Sequence, residues 1–190
     1  MPRHPPPLPR SSRHLPLRPL PPSRLLPTLQ RRLSDADRVA VLGVGSELRG
    51  DDAAGTLVAR QLAAAVGRSR RVASFVGYTA PENFTGPIVR HLRGAAEGRR
   101  ALVLVDAAEL GRRAGTIILL EAKDLAGVTF STHQLPLALL VDYIVRSVPV
   151  RVFALAVQPA STAFGAPVSP AVRRAVTRLV SALRASAVRR

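Results

Sequence analysis

Short apolar runs and longer stretches of helical periodicity alternate along most of the chain. The runs are rich in branched apolar residues, and we predict strands at 38–44, 71–77, 100–106, 115–121 and 150–157. Apolar residues at helical spacing predict helices at 52–66, 84–96, 134–147 and 169–187. The run 101–105 is continuously apolar, which is typical of a strand covered on both faces. The pattern predicts one doubly wound α/β domain with about five mostly parallel strands and helices on both faces.

Residues 1–34 do not follow this alternation. They are rich in proline and arginine and contain no acidic residue, and we see no periodic apolar pattern in them. Such a segment buries too little apolar surface to offset the entropy of ordering, and it has no apolar run typical of a secretory signal. We therefore predict a disordered extension over 1–34 and an α/β domain over 35–190.

The net charge of +16 raises the possibility of nucleic-acid binding. However, the arginines are scattered, and aromatic residues make up only 4% of the chain, too few for a platform on which bases stack. An arginine-rich nucleic-acid-binding protein therefore stays a less favoured alternative. The apolar stretch 135–157 is interrupted by Asp142, Arg146 and Arg151, so we expect no membrane insertion. We also expect a monomer.

The chain contains no cysteine. This excludes disulfides, thiolate metal sites and a cysteine nucleophile, and it suits a reducing compartment, so we predict a cytoplasmic protein. Any metal must bind to oxygen and nitrogen atoms.

The stretch 39–52 predicts a buried strand, a glycine turn and then two carboxylates at a helix start. A dinucleotide site uses a similar strand, turn and helix, but Leu48 stands where its third glycine is required. Asp51 and Asp52 would also repel a pyrophosphate at the helix start. We therefore favour a cation site.

Three groups that could bind a cation lie at or near the ends of predicted strands and helices. Asp52 follows the first strand, Asp106 ends the third, and His133 begins a predicted helix. If the first and third strands are neighbours, these groups meet at the carboxyl edge of the sheet and suit a divalent transition metal. Each also has a simpler interpretation: either aspartate could cap a helix, and His133 could bond to backbone.

Several motifs occur in a characteristic order between residues 38 and 182. They are Gly43-Val44-Gly45-Ser46, Asp51-Asp52-Ala53-Ala54-Gly55, Thr79-Ala80-Pro81-Glu82-Asn83, Leu104-Val105-Asp106-Ala107, Thr132-His133-Gln134-Leu135-Pro136-Leu137 and Gln158-Pro159. As a set they resemble the [NiFe]-hydrogenase maturation endopeptidases, in particular the subgroup that processes the large subunits of hydrogenase-3-type enzymes.

The resemblance implies a five-stranded twisted sheet and a protease that removes a C-terminal peptide from a hydrogenase large-subunit precursor after nickel insertion. It implies Asp52, Asp106 and His133 as the nickel ligands, with nickel supplied by the substrate. We predict Asp52 and His133 as catalytic residues. We also predict Asp51 as catalytic, as an additional carboxylate that handles water.

The chain departs from the family pattern in two places. Ser46 stands where many members have asparagine, and Val76-Gly77-Tyr78 stands where many have Asp-Gly-Gly. These departures leave open a non-catalytic family member that acts as a metal-sensing binding module. A nucleophile pair of Ser46 and His133 is disfavoured, because the sequence supplies neither an orienting acid nor an oxyanion hole for it.

Overall fold

The structure is a computed structural model that describes residues 18–130 and 137–187. Its strands are β1 Arg38–Val44, β2 Val72–Tyr78, β3 Arg100–Glu109, β4 Ile117–Glu121, β5 Thr129–Phe130 and β6 Arg151–Val157. Five of them form a sheet in the order β2-β1-β3-β6-β4, in which only β4 is antiparallel to its neighbour. The short β5 pairs antiparallel with the end of β3.

The helices are α1 Pro22–Leu33, α2 Ala54–Val66, α3 Thr85–Leu92, α4 Leu137–Ser147 and α5 Pro170–Ala187. Apolar residues of α1, α2 and α5 pack on one face of the sheet, and those of α3 and α4 pack on the other. Alternate residues of β1 contribute to the two cores: Val39 and Val41 to one, Ala40 and Leu42 to the other. This layering confirms the predicted doubly wound α/β fold. Among the described residues, no helix is both long enough and apolar enough to cross a membrane.

The first and third strands are neighbours, as the predicted site requires. β1 lies between β2 and β3 and is parallel to both. From β1 the chain passes to α2 on one face, and after β3 it reaches α4 on the other face before it enters β6. The carboxyl ends of β1 and β3 therefore border the crevice in which ligands bind in open α/β sheets.

The predicted end of the third strand is wrong by a few residues. β3 continues to Glu109 because β5 pairs with Ala108 and Glu109. Asp106 consequently lies inside a strand, where it is opposite Ala156 of β6. A two-residue antiparallel strand is too short to be predicted from periodicity.

The prediction of disorder over residues 1–34 is wrong for residues 22–33, which form α1. Leu25, Leu29 and Leu33 are buried, and their spacing of four places them on one face of the helix. Proline is tolerated at the first turn, where Pro22 lies, although Pro27 lies further inside α1. The helix packs against α5, and residues 1–17 lie outside the described part of the chain.

Candidate functional site

Glycines allow the turn after β1 to pack tightly against its neighbours. Gly45 has a φ of +134°, and a Cβ atom there would lie 1.8 Å from the carbonyl oxygen of Asp52. A Cβ atom on Gly55, at the start of α2, would lie 2.0 Å from the carbonyl oxygen of Val105 in β3. Only glycine permits these approaches. They bring the 3₁₀ turn at Gly50–Ala53, which contains both aspartates, against the end of the sheet.

Asp52 is 1% exposed, and its two carboxylate oxygens differ. Oδ2 accepts a hydrogen bond from the backbone N–H of Ser46 at 2.7 Å. Oδ1 is buried and has no hydrogen-bond partner among the residues that the structure describes. An unsatisfied buried carboxylate oxygen is unfavourable, and a bound cation would relieve this cost. The carboxylate of Asp52, with this Oδ1 atom, is therefore suited to bind a metal ion.

The helix-capping interpretation of the acidic residues finds no support in their contacts. Neither the 3₁₀ turn nor α2 has a side-chain hydrogen bond at its N-terminal cap. Asp106 lies within β3, so it does not begin a helix. It is 1% exposed and follows Val105, the residue whose carbonyl faces Gly55. The structure thus brings Asp52 and Asp106 to the same end of the sheet.

Asp51 is buried as well, but its carboxylate is occupied by backbone donors. Oδ2 accepts hydrogen bonds from the N–H groups of Ala160 at 2.7 Å and Ser161 at 3.4 Å. Oδ1 accepts one from the N–H of Ser169 at 2.6 Å. These contacts connect the turn to the loop between β6 and α5. The predicted water-handling role of Asp51 stays a prediction, and its visible role is structural.

His133 lies in residues 131–136, outside the described part of the chain. Within residues 18–130 and 137–187 no three histidine or acidic side chains form a group that could hold a metal ion. The three-ligand site therefore stays a prediction, of which the described residues supply two members.

Gln158 is a polar residue at this edge that we did not predict to be important. It is buried; its Oε1 accepts hydrogen bonds from the N–H groups of Leu110 at 2.7 Å and Arg112 at 3.2 Å. Its Nε2 donates to Glu109 Oε1 at 3.0 Å. Gln158 therefore holds the turn after β3 in place. The signal for it was its place in the Gln158-Pro159 motif at the end of a predicted strand.

Comparison with known proteins identifies the family. The family model described as HycI, hydrogenase maturation protease, matches residues 57–186. The chain belongs to the hydrogenase maturation proteases. It is 34% identical over 137 residues to the hydrogenase 3 maturation protease of Escherichia coli K12, covering 72% of this chain and 82% of that protein. It is therefore a peptidase of the family that the motifs predicted.

Solved structures of the family share the fold. The crystal structure of a [NiFe] hydrogenase maturation protease HycI from Thermococcus kodakarensis KOD1 matches with a TM-score of 0.74 and 27% identity, over 84% of this chain and 97% of that one. The solution structure of the endopeptidase HycI from Escherichia coli matches with a TM-score of 0.65 and 31% identity, over 78% of this chain and 90% of that one.

One departure from the family pattern lies at a position where the backbone is strained. Tyr78, in a position where many members have glycine, has a φ of +48°. This left-handed conformation is unfavourable for a residue with a Cβ atom, so glycine is the usual choice there. The Tyr78 hydroxyl accepts a hydrogen bond from Arg60 at 3.2 Å, and Arg60 also pairs with Glu47 at 2.7 Å. These exposed contacts accompany the strained backbone.

Proposed function

We propose that this protease removes the C-terminal peptide of a [NiFe]-hydrogenase large-subunit precursor after nickel insertion. The nickel arrives with the substrate, and Asp52, Asp106 and His133 recognise it. The proposed location is the cytoplasm, in keeping with the absence of cysteine.

The observation that supports nickel recognition best is that the buried Oδ1 of Asp52 accepts no hydrogen bond from the residues that the structure describes. A protein tolerates such an oxygen where a ligand satisfies it. Asp106 adds a second buried carboxylate at the same end of the sheet. Two carboxylates and one imidazole form a mixed oxygen and nitrogen set that suits a divalent transition metal.

Chain connectivity supports His133 as the third ligand. The first described segment ends at Phe130, which pairs with Ala108, two residues beyond Asp106. His133 is three residues further along, and three residues span at most about 11 Å. The imidazole can therefore reach the carboxyl edge of the sheet.

Recognition of the precursor's nickel would position the peptide bond that is cleaved. Hydrolysis adds water to the carbonyl carbon, and the C–N bond then breaks as the amine takes up a proton. We assign Asp52 and His133 to the face that meets the substrate. We assign Asp51 to holding the loop at 160–169, because backbone donors occupy both of its oxygens.

The test is processing of a nickel-loaded large-subunit precursor, followed as the shortening of its chain. Asp52→Asn, Asp106→Asn and His133→Ala should each abolish processing and weaken nickel binding in isothermal titration calorimetry. Processing should also weaken as the pH falls through about 6.5, where a free imidazole becomes protonated. The matched control is Asp142→Asn, since Asp142 is exposed on α4 and pairs with Arg146 at 2.7 Å.

Two results would contradict the proposal. If Asp106→Asn bound nickel and processed the precursor as well as the parent does, the metal assignment would be wrong. If the parent bound the loaded precursor without shortening it, the chain would act as a metal-sensing binding module instead of a protease.

A further inference from the structure

Two large apolar side chains are exposed in the loops that border the candidate site. Leu48 lies between β1 and the 3₁₀ turn and is 64% exposed. Phe164 lies between β6 and α5 and is 76% exposed. Large apolar side chains exposed close together commonly mark a surface that binds another protein.

Hydrogen bonds join the two loops. The N–H of Gly165 donates to the carbonyl of Leu48 at 2.8 Å, which places Phe164 beside the Leu48 loop. The N–H of Asp51 donates to the carbonyl of Ser161 at 2.9 Å, in addition to the bonds that the Asp51 carboxylate accepts. Leu48 and Phe164 therefore form one surface, which we call the Leu48–Phe164 rim.

The loop that carries Phe164 contains no charged residue, whereas Leu48 lies between Glu47 and Arg49. The chain has a net charge of +16, yet no charged residue occurs from Val152 to Val172. A loop without charge has no electrostatic attraction for nucleic acid or for an acidic peptide. Its exposed apolar groups suit an apolar patch on a folded protein.

The position of the rim indicates which protein that is. Ser46, two residues before Leu48, donates the backbone hydrogen bond that holds Asp52. The other loop is held by Asp51, the neighbour of Asp52. The rim therefore lies beside the carboxylate that would recognise the nickel, where a bound substrate can contact it.

We propose that the Leu48–Phe164 rim docks the folded large-subunit precursor through an apolar patch beside its nickel. The identity of the partner rests on the proposed function. The rim contributes to binding of the whole precursor, whereas the carboxylates recognise the metal.

The test compares two double variants of the full chain. In Leu48→Ala with Phe164→Ala, truncation of two interface side chains should raise KM for the nickel-loaded precursor by about tenfold or more, with kcat within about twofold of the parent. Binding of Ni²⁺ alone, measured by calorimetry, should not change. The matched control is Tyr143→Ala with Val145→Ala, because these residues are 59% and 40% exposed on α4. The control should process the precursor with the parent's KM.

The outcomes separate this inference from the proposed function. A rim variant with an unchanged KM, in a preparation whose parent shortens the precursor, would overturn the docking inference alone. A parent that binds the precursor through the rim but does not shorten it would overturn the proposed function alone. A parent that neither binds nor shortens the precursor would overturn both.

Discussion

Polar side chains at the two ends of the sheet differ in how fully they are hydrogen-bonded. At the amino end, Arg71 precedes β2 and donates to three backbone carbonyls: Leu33 at 2.5 Å, Ala36 at 2.9 Å and Ser186 at 2.6 Å. The guanidinium thereby joins the ends of α1 and α5. At the carboxyl end, the buried Oδ1 of Asp52 has no hydrogen-bond partner within the described residues.

The contrast distinguishes a structural group from a functional one. Two of the Arg71 contacts, those to Leu33 and Ser186, satisfy carbonyls at helix ends, which otherwise lack intrahelical partners. One oxygen of the Asp52 carboxylate has no such contact in the described part of the chain, which lowers stability but leaves the oxygen available to a ligand. Residue type alone does not decide whether a buried aspartate is structural or functional. Asp51 is adjacent to Asp52, yet both of its carboxylate oxygens accept hydrogen bonds from the backbone.

The largest effect is expected from Gly55→Ala, which would disrupt the carboxyl end. The new Cβ would lie 2.0 Å from the carbonyl oxygen of Val105 and 2.3 Å from that of Val44, and both are backbone atoms that cannot move alone. We expect a loss of more than about 4 kcal/mol in the free energy of unfolding, measured by urea denaturation. Gly86→Ala is the control: a Cβ there meets nothing within 4 Å, and it should stabilise α3 by up to about 1 kcal/mol. Equal stabilities of the two variants would refute the close approach.

A smaller loss is expected from Leu29→Ala, which tests whether α1 belongs to the folded domain. Leu29 is fully buried in the core that α1 shares with α5. Its truncation should lower the free energy of unfolding by about 3 kcal/mol, while cleavage per folded molecule is kept. Gln30→Ala changes an exposed neighbour and should shift stability by less than about 0.5 kcal/mol. Parent-like stability of Leu29→Ala would mean that α1 is not packed on the domain.

Arg71→Met should cost somewhat less, because water can solvate part of the carbonyls that it leaves. We expect a loss of about 2 kcal/mol in the free energy of unfolding and no change in Ni²⁺ affinity. Arg70→Met, at an exposed adjacent position, serves as the control. If Arg71→Met lowered nickel affinity while Arg70→Met did not, the separation of roles between the two ends would be wrong.

The smallest change in the free energy of unfolding is expected from Asp52→Asn, and it should be a gain and not a loss. Removing a buried charge that has an unsatisfied oxygen should leave stability unchanged or raise it by about 1 kcal/mol. Thermal unfolding without metal measures this, with Asp51→Asn as the comparison. Asp51→Asn weakens bonds to three backbone donors and should be destabilising. A destabilised Asp52→Asn protein would indicate that this carboxylate is structural too.

Much of the fold and part of the site could be predicted from the chain alone. The bounds of β1 were predicted without error, and the strand and helix periods indicated the doubly wound layers. The adjacency of β1 and β3 followed from that class of fold and was confirmed. The sequence therefore predicts that Asp52 and Asp106 lie at one end of the sheet, where the structure has them.

The sequence by itself determined the elements whose periodicity is local, because side-chain direction repeats every few residues along a strand or helix. Tertiary structure decided what depends on distant partners. The leucines of α1 are ordered by packing on α5, more than a hundred residues away in the chain, and Asp51 is held by a loop equally distant. β3 is extended by β5, a strand of two residues. Whether a buried aspartate supports the fold or meets a ligand depends on which donors the folded chain brings to it, and residue identity does not encode that.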